Sequence, residues 1–194
     1  LTDLSYSQLY KHEIFRLSHN KKHPSIIMSF AEISKSLSDI ERKASKSIKI
    51  LQKGNDLNYK DAIKLGTKSN SIVSTINKGI KEYGNFNPSD EDAKKLLHQM
   101  STIVDLTETQ LTNMVANKGR FESLKVGGLV KKNVQKTEAA SKELSNVMIA
   151  KAPASTKADA ETLEKRREAA FSKATAAFAS STGGEDEALG DDSD

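Results

Sequence analysis

Apolar side chains recur at spacings of three and four along five stretches of this chain. The widest stripe comprises Ala93, Leu96, Leu97, Met100, Ile103, Val104, Leu111, Met114 and Val115, with Thr107 in its one polar slot. That spacing predicts an amphipathic helix, and the width of the stripe predicts neighbours on more than one side. Asn87 and Pro88 mark its start as cap and first helical residue, and Gly119 marks its end. Asp90, Glu91 and Asp92 fall in the first turn, where the helix dipole favours negative charge. This segment is expected to be the central helix of a bundle.

The other stripes read as helices that cover it. Ile26, Phe30, Ile33, Leu37, Ile40, Ala44, Ile48 and Leu51 form the first, closed by Gly54. The second begins near Asn58 and carries Ala62, Leu65, Ser69, Ile72, Val73, Ile76, Ile80 and Tyr83 to Gly84. Gly66, Ser69 and Gly79 on or beside its face predict close backbone approach or room for something else. After the central helix, three glycines between Gly119 and Gly128 predict a loop or kink with Phe121 and Leu124 tucked inward. The fourth helix spans about Leu129 to Lys151 with Val130, Val134, Thr137, Ala140, Leu144, Val147 and Met148, and Pro153 stops it. Ser155 or Thr156 is expected to cap a fifth, whose face is Leu163, Ala170, Phe171, Ala174, Ala177 and Phe178.

These patterns divide the chain into an N-terminal arm or linker at 1–25, a helical bundle at 26–180 and a disordered acidic tail at 181–194. With 36 % apolar and 5 % aromatic residues, a sheet protein is disfavoured and an all-α, five-helix bundle is expected. The tail carries six acids and no Lys or Arg, so the preceding 180 residues hold 30 basic against 20 acidic side chains, a net charge of +10. The basic residues are dispersed among acids rather than blocked. No run approaches the roughly 20 apolar residues of a membrane span. A chain opening on Leu1 rather than Met is expected to be a processed or trimmed form.

Little in the sequence speaks for catalysis. With no Cys, there is neither a thiol nucleophile nor a thiolate metal site. No Gly-rich phosphate loop, nucleophile elbow or metal-binding helix motif is present. His19 and His23 are four apart, but Pro24 and the intervening lysines make that segment a solvated linker. His98 reads as a rim residue, and the acids of the tail lack the spacing of a calcium loop. Lys131, Lys132 and Lys136 lack the aromatic interleaving of a nucleic-acid module, so no nucleic-acid partner is expected.

The apolar faces themselves are the remaining signal. Five helices with Gly and Ser set against Ile, Leu and Met can enclose an internal apolar slot. Ser69, Thr107 and Thr137 interrupt the stripes. Each either receives a ligand head group or bonds the carbonyl one turn back, the commoner behaviour of helical hydroxyls.

A series of short motifs adds to this reading. Thr75-Ile76-Asn77-Lys78-Gly79-Ile80, Pro88-Ser89-Asp90, Val115-Ala116-Asn117-Lys118-Gly119-Arg120-Phe121, Val126-Gly127-Gly128-Leu129, Gln135-Lys136-Thr137, Lys151-Ala152-Pro153-Ala154-Ser155 and Ala177-Phe178 occur in that order. The series, over roughly residues 37–178, resembles the fungal hydrophobic surface-binding protein A family, which includes the Mp1-type cell-wall galactomannoproteins. The resemblance implies a secreted, non-catalytic helical bundle that binds hydrophobic surfaces or holds a fatty acid between its helices. It implies cell-wall association for some members and sequestration of host lipid messengers such as arachidonic acid for others. This chain departs from the pattern in lacking an Asn-x-Ser/Thr sequon, a Ser/Thr-rich stalk and an anchoring hydrophobic tail.

The expected ligand is therefore a fatty acid or similar single-chain lipid, with no further cofactor, no metal and no catalytic residue. The lipid-binding candidates are Leu37, Ile40, Ser69, Ile72, Ile76, Leu97, Met100, Val104, Thr107, Leu111, Thr137, Leu144, Met148 and Phe171. One or two hydroxyls, or a Lys near the mouth, are expected to hold the carboxylate. The chain is expected to be a monomer or weak dimer. The alternative is a solid-cored secreted bundle that acts as a virulence factor or adaptor through a host protein.

Overall fold

The computed structural model of the chain describes residues 29–185. The expected arm at 1–25, with His19 and His23, lies outside them, as do residues 186–194 of the tail.

Ser29 fixes where the first helix begins. Its Oγ accepts from the Glu32 N–H at 3.3 Å, and its own N–H donates to Glu32 Oε2 at 2.9 Å. This reciprocal capping box starts α1 at Phe30–Leu51, four residues after the start expected at Ile26. Ile33, Leu37, Ile40, Ala44, Ile48 and Leu51 are buried along one face, as their spacing predicted. The chain then turns through a single 3₁₀ turn, Gly54–Asp56, where Gly54 takes the left-handed φ of +56° that a Cβ disfavours.

A second capping box, Asn58 with Asp61, opens α2 at Tyr59–Gly84. Lys53 Nζ also donates to Asp61 Oδ1 at 2.7 Å. That hydrogen bond, with a further one from the Asn58 backbone, holds the Asp61 carboxyl below its ordinary value of 3.8. A carboxyl depressed on folding stabilises the fold fully above its unfolded value and loses that contribution as pH falls through the folded one. Asp61→Ala is thus expected to cost about 1 kcal/mol at neutral pH. In urea titrations followed by circular dichroism, the gap from the parent chain should close below about pH 4.

Ser89, and not Asn87, caps α3 at Asp90–Ala116, because its Oγ accepts from the Asp92 N–H at 3.2 Å. Pro88 therefore stands before the helix. The expected glycine loop contains instead a short helix, α4, at Lys118–Ser123, followed by α5 at Gly127–Lys151. The Phe121 and Leu124 N–H groups each donate to the carbonyl four residues back, and Gly119 is helical. The reversal falls on Lys125, at a φ of 58°. The last helix, α6, runs Ala154–Ala177 directly from Pro153. Neither Ser155 nor Thr156 caps it; Thr156 lies within its first turn, with both its N–H and its Oγ bonded to the Pro153 carbonyl.

Among the described residues there are six α-helices and no strand, and the five long helices form a closed ring. Around it, α1 packs on α2, α2 on α5, α5 on α6, α6 on α3, and α3 back on α1. No described helix is central. The wide stripe of α3 faces α1 on one side, α6 on the other and the ring's axis between them. At the α2–α5 seam, a Cβ on Gly66 would sit 3.3 Å from Asn133 Nδ2, so this glycine does serve close approach.

The buried apolar residues fall into two clusters, one toward each end of the ring. One gathers Leu51, Leu57, Leu65, Phe121, Leu129, Phe171 and Phe178, and the other Ile33, Leu37, Ile76, Tyr83, Leu96 and Met148. Helix α5 has no side-chain cap, and residues 181–185, expected to begin the disordered tail, supply one instead. The Leu129 N–H donates to the Gly183 carbonyl at 3.0 Å, and Ser181, only 5 % exposed, donates to Glu122 Oε1 at 3.2 Å.

Candidate functional site

Between the two core clusters, on the axis of the ring, lies a slot of about 50 Å³. All five long helices wall it. Ile40 and Ala44 come from α1; Ser69, Ile72 and Ile76 from α2; Met100, Ile103, Val104, Thr107, Gln110, Leu111 and Met114 from α3. Helix α5 adds Asn133, Val134, Thr137, Ser141 and Leu144, and α6 adds Arg167 and Phe171. Eleven of the fourteen expected residues are therefore brought together here.

The other three lie elsewhere. Leu37 is buried in the end cluster, one turn of α1 beyond the slot. Leu97 is rotated about 100° from Leu96, which takes the centre of the stripe, and so faces α6 rather than the axis. With Met148 it lines a smaller crevice of about 20 Å³ that also touches Leu163. Met100 and Val104 border both spaces, so movement of these two side chains would join crevice to slot.

The hydroxyls behave as helical hydroxyls commonly do, with one exception. Thr107 donates to the Ile103 carbonyl at 2.8 Å, Thr137 to that of Asn133 at 2.9 Å, and Ser141 to that of Thr137 at 2.6 Å. Ser69 instead bridges helices, with its Oγ 3.0 Å from Thr137 Oγ1. A hydroxyl has one proton to give. With each of these committed inside the protein, the four groups offer an incoming ligand acceptors only. A carboxylate needs donors, so the expectation that hydroxyls hold it does not fit this geometry. Among the described residues no Lys lines the slot either.

The cationic donor among the wall residues is one the stripe reading passed over. Arg167 is only 3 % exposed, and its guanidinium lies 5.4 Å from the centre of the Phe171 ring. Its Nε and Nη2 donate to the two carboxylate oxygens of Glu164 at 2.7 and 2.6 Å. Nη1 is fully buried without a partner. Among the described residues, the other buried side-chain polar atoms so placed are both acceptors, Gln99 Oε1 and Asn133 Oδ1. A signal existed for Arg167. It stands four residues from both Leu163 and Phe171, in the middle of the apolar face of α6.

The remaining candidates stay outside the site. His98 is exposed, and at the start of α3 Asp92 is taken by helix capping and Glu91 by Lys95, at 2.7 Å. Among the described residues no group of three or more His, Asp or Glu side chains is placed to hold a metal ion. No described helix is long and apolar enough to cross a membrane.

Comparison with known proteins matches this architecture. The sequence profile of the family described as hydrophobic surface binding protein A fits residues 30–150. Among solved structures, AFMP4P in complex with palmitic acid is similar, with a TM-score of 0.73 and 22 % identity over 77 % of this chain and 99 % of that one. Ligand binding domain 1 of the Penicillium marneffei MP1 protein, complexed with arachidonic acids, gives 0.71 and 21 % over 77 % and 99 %. Domain 2 of the same protein, complexed with multiple arachidonic acids, gives 0.71 and 21 % over 80 % and 99 %. No curated protein sequence matches the chain significantly.

Proposed function

This chain belongs to the hydrophobic surface binding protein A family, and from that premise we propose that it binds one fatty acid or similar single-chain lipid inside the ring of helices. The observation that carries the proposal is the slot itself, walled by apolar side chains from all five long helices. The fatty acids held by the similar Afmp4p and Mp1 domains support the choice of ligand. The role is sequestration or carriage, without catalysis. We extend the proposal to export, with the chain acting outside the fungal cell that makes it, free or at the wall.

Physical constraints shape the mechanism. The slot has room for about four water molecules, whereas sites for larger ligands measure roughly 300–1,000 Å³. An acyl chain must therefore push its walls apart. Met100 and Met114 are the wall residues best suited to swing, being unbranched and flexible. Each methylene that enters gains about 0.8 kcal/mol by leaving water, and that gain drives the opening.

Native mass spectrometry tests the proposal. Delipidated protein titrated with oleate or arachidonate is expected to gain a single ligand mass in one-to-one ratio, with helix content unchanged by circular dichroism. Uptake without fixed stoichiometry would indicate spreading on lipid instead. Bare protein in excess lipid would sink the reading and favour an adaptor working through its outer surface.

A further inference from the structure

We infer that the slot selects anionic single-chain amphiphiles over neutral ones of equal length, and that Arg167 on α6 is the residue that selects. The inference rests on the lipid-binding reading and names the polar contact that reading leaves open.

A guanidinium carries five N–H donors in a plane. Glu164 accepts from Nε and Nη2 through its two oxygens, which uses one edge of that plane. The edge formed by Nη1 and the second Nη2 proton makes no hydrogen bond to the described residues, and Nη1 is closed off from water. Leaving a charged donor buried without a partner is costly, and a carboxylate fits the free edge in the two-pronged manner that makes such pairs strong. An alcohol of the same chain length supplies one neutral oxygen and leaves part of that edge unpaired.

Other groups on the wall point to the same end of the slot. The hydroxyls of Thr107, Thr137 and Ser141 have given their protons to helix carbonyls, so they offer a carboxylate nothing. Asn133 Oδ1 on α5 is an unpartnered acceptor and repels an anion. The anionic head is thereby seated on the α6 side, with its chain running among the apolar residues of α1, α2 and α3. Glu164 has a second role. By neutralising Arg167 it makes the buried cation tolerable before a ligand arrives, and once one is bound it competes for the same guanidinium. Arg167 stands on the last helix, beyond residues 30–150, the span the family profile matches.

The test compares dodecanoate with 1-dodecanol by isothermal titration calorimetry near pH 7.5, on the parent chain and three variants. The parent is expected to bind the acid at least tenfold more tightly than the alcohol. Arg167→Gln should weaken the acid by tenfold or more and leave the alcohol within about twofold. Glu164→Gln should tighten the acid and not the alcohol, a gain that a merely structural role for the pair would not give. Since Arg167→Gln strands Glu164 and could unfold the protein, the double variant Glu164→Gln/Arg167→Gln, which removes both charges, repeats the measurement. Equal binding of acid and alcohol by the parent overturns the inference, as do parallel losses for both ligands in the double variant. If the parent binds neither ligand, the lipid-binding reading itself fails; if it binds both alike, only the selection does.

Discussion

Ala44→Leu is expected to lower the affinity for a long-chain fatty acid about a hundredfold while the helical fold persists. Ala44 is only 4 % exposed and stands on α1 where the slot passes between the two core clusters. Three added carbons placed there occupy a space that admits only about four water molecules. An acyl chain must then surrender three or four buried methylenes, at about 0.8 kcal/mol each, or force the walls further apart. A loss of that size, roughly 2.7 kcal/mol, corresponds to a hundredfold in affinity. The effect on stability is smaller, because the new side chain fills a gap; any misfit costs about 1–3 kcal/mol. Fatty-acid titration and thermal melting of the same preparation separate the two effects. Unchanged uptake by a folded Ala44→Leu protein would place the lipid somewhere other than this slot.

Ala44 was legible as one step in a stripe, and the same pattern yielded most of the slot. Ile40, Ile72, Ile76, Met100, Val104 and Leu144 needed only spacing to place them, since a residue on the buried face of one of five ring-forming helices faces either the axis or a neighbour. Spacing does not say which of the two. Leu37 and Leu97 carry the same periodicity as their neighbours, yet one packs in an end cluster and the other turns toward α6. The choice depends on which helices meet, and the closed order α1, α2, α5, α6, α3 is a tertiary fact. The wide stripe of α3 pointed to a central helix for the same reason. Two neighbours and an axis expose as much apolar demand as encirclement does.

The polar residues of the site were harder to read. Asn133 and Arg167 sit within apolar stripes, but a single polar residue there more often marks an edge than a ligand contact. What distinguishes Arg167 is a combination that periodicity does not carry: burial at 3 % exposure, Glu164 across one edge of the guanidinium, and nothing across the other. The end of the ring shows a related limit. Glycine density around Gly119 predicted a loop or kink; that glycine is helical, and the reversal is made by Lys125. Helix α4 holds because its side chains tie neighbouring elements together. Arg120 Nε donates to the Leu57 carbonyl at 2.6 Å, and Asn117, just before the helix, donates to that of Leu51 at 2.9 Å.

That short helix carries a large expected stability effect. Phe121 has 0 % exposure, packs in the cluster with Leu51, Leu57, Leu65 and Leu129, and meets the Phe178 ring at 6.4 Å between centroids. Truncating a phenylalanine so placed removes its transfer energy and leaves a cavity that rigid helix ends cannot collapse, a loss of about 3–5 kcal/mol. Against a total stability of about 5–15 kcal/mol for a domain, Phe121→Ala should lower the melting temperature by roughly 10 °C. A surface loop would tolerate the same change at about 0.5 kcal/mol. Melting by circular dichroism therefore decides whether α4 closes the ring or merely decorates it, and a fall under about 3 °C would contradict the packing described. Because Phe121 does not line the slot, the variant held well below its melting point should keep its fatty-acid affinity. Together with Ala44→Leu, this separates the residues that hold the ring shut from those that decide what fits inside it.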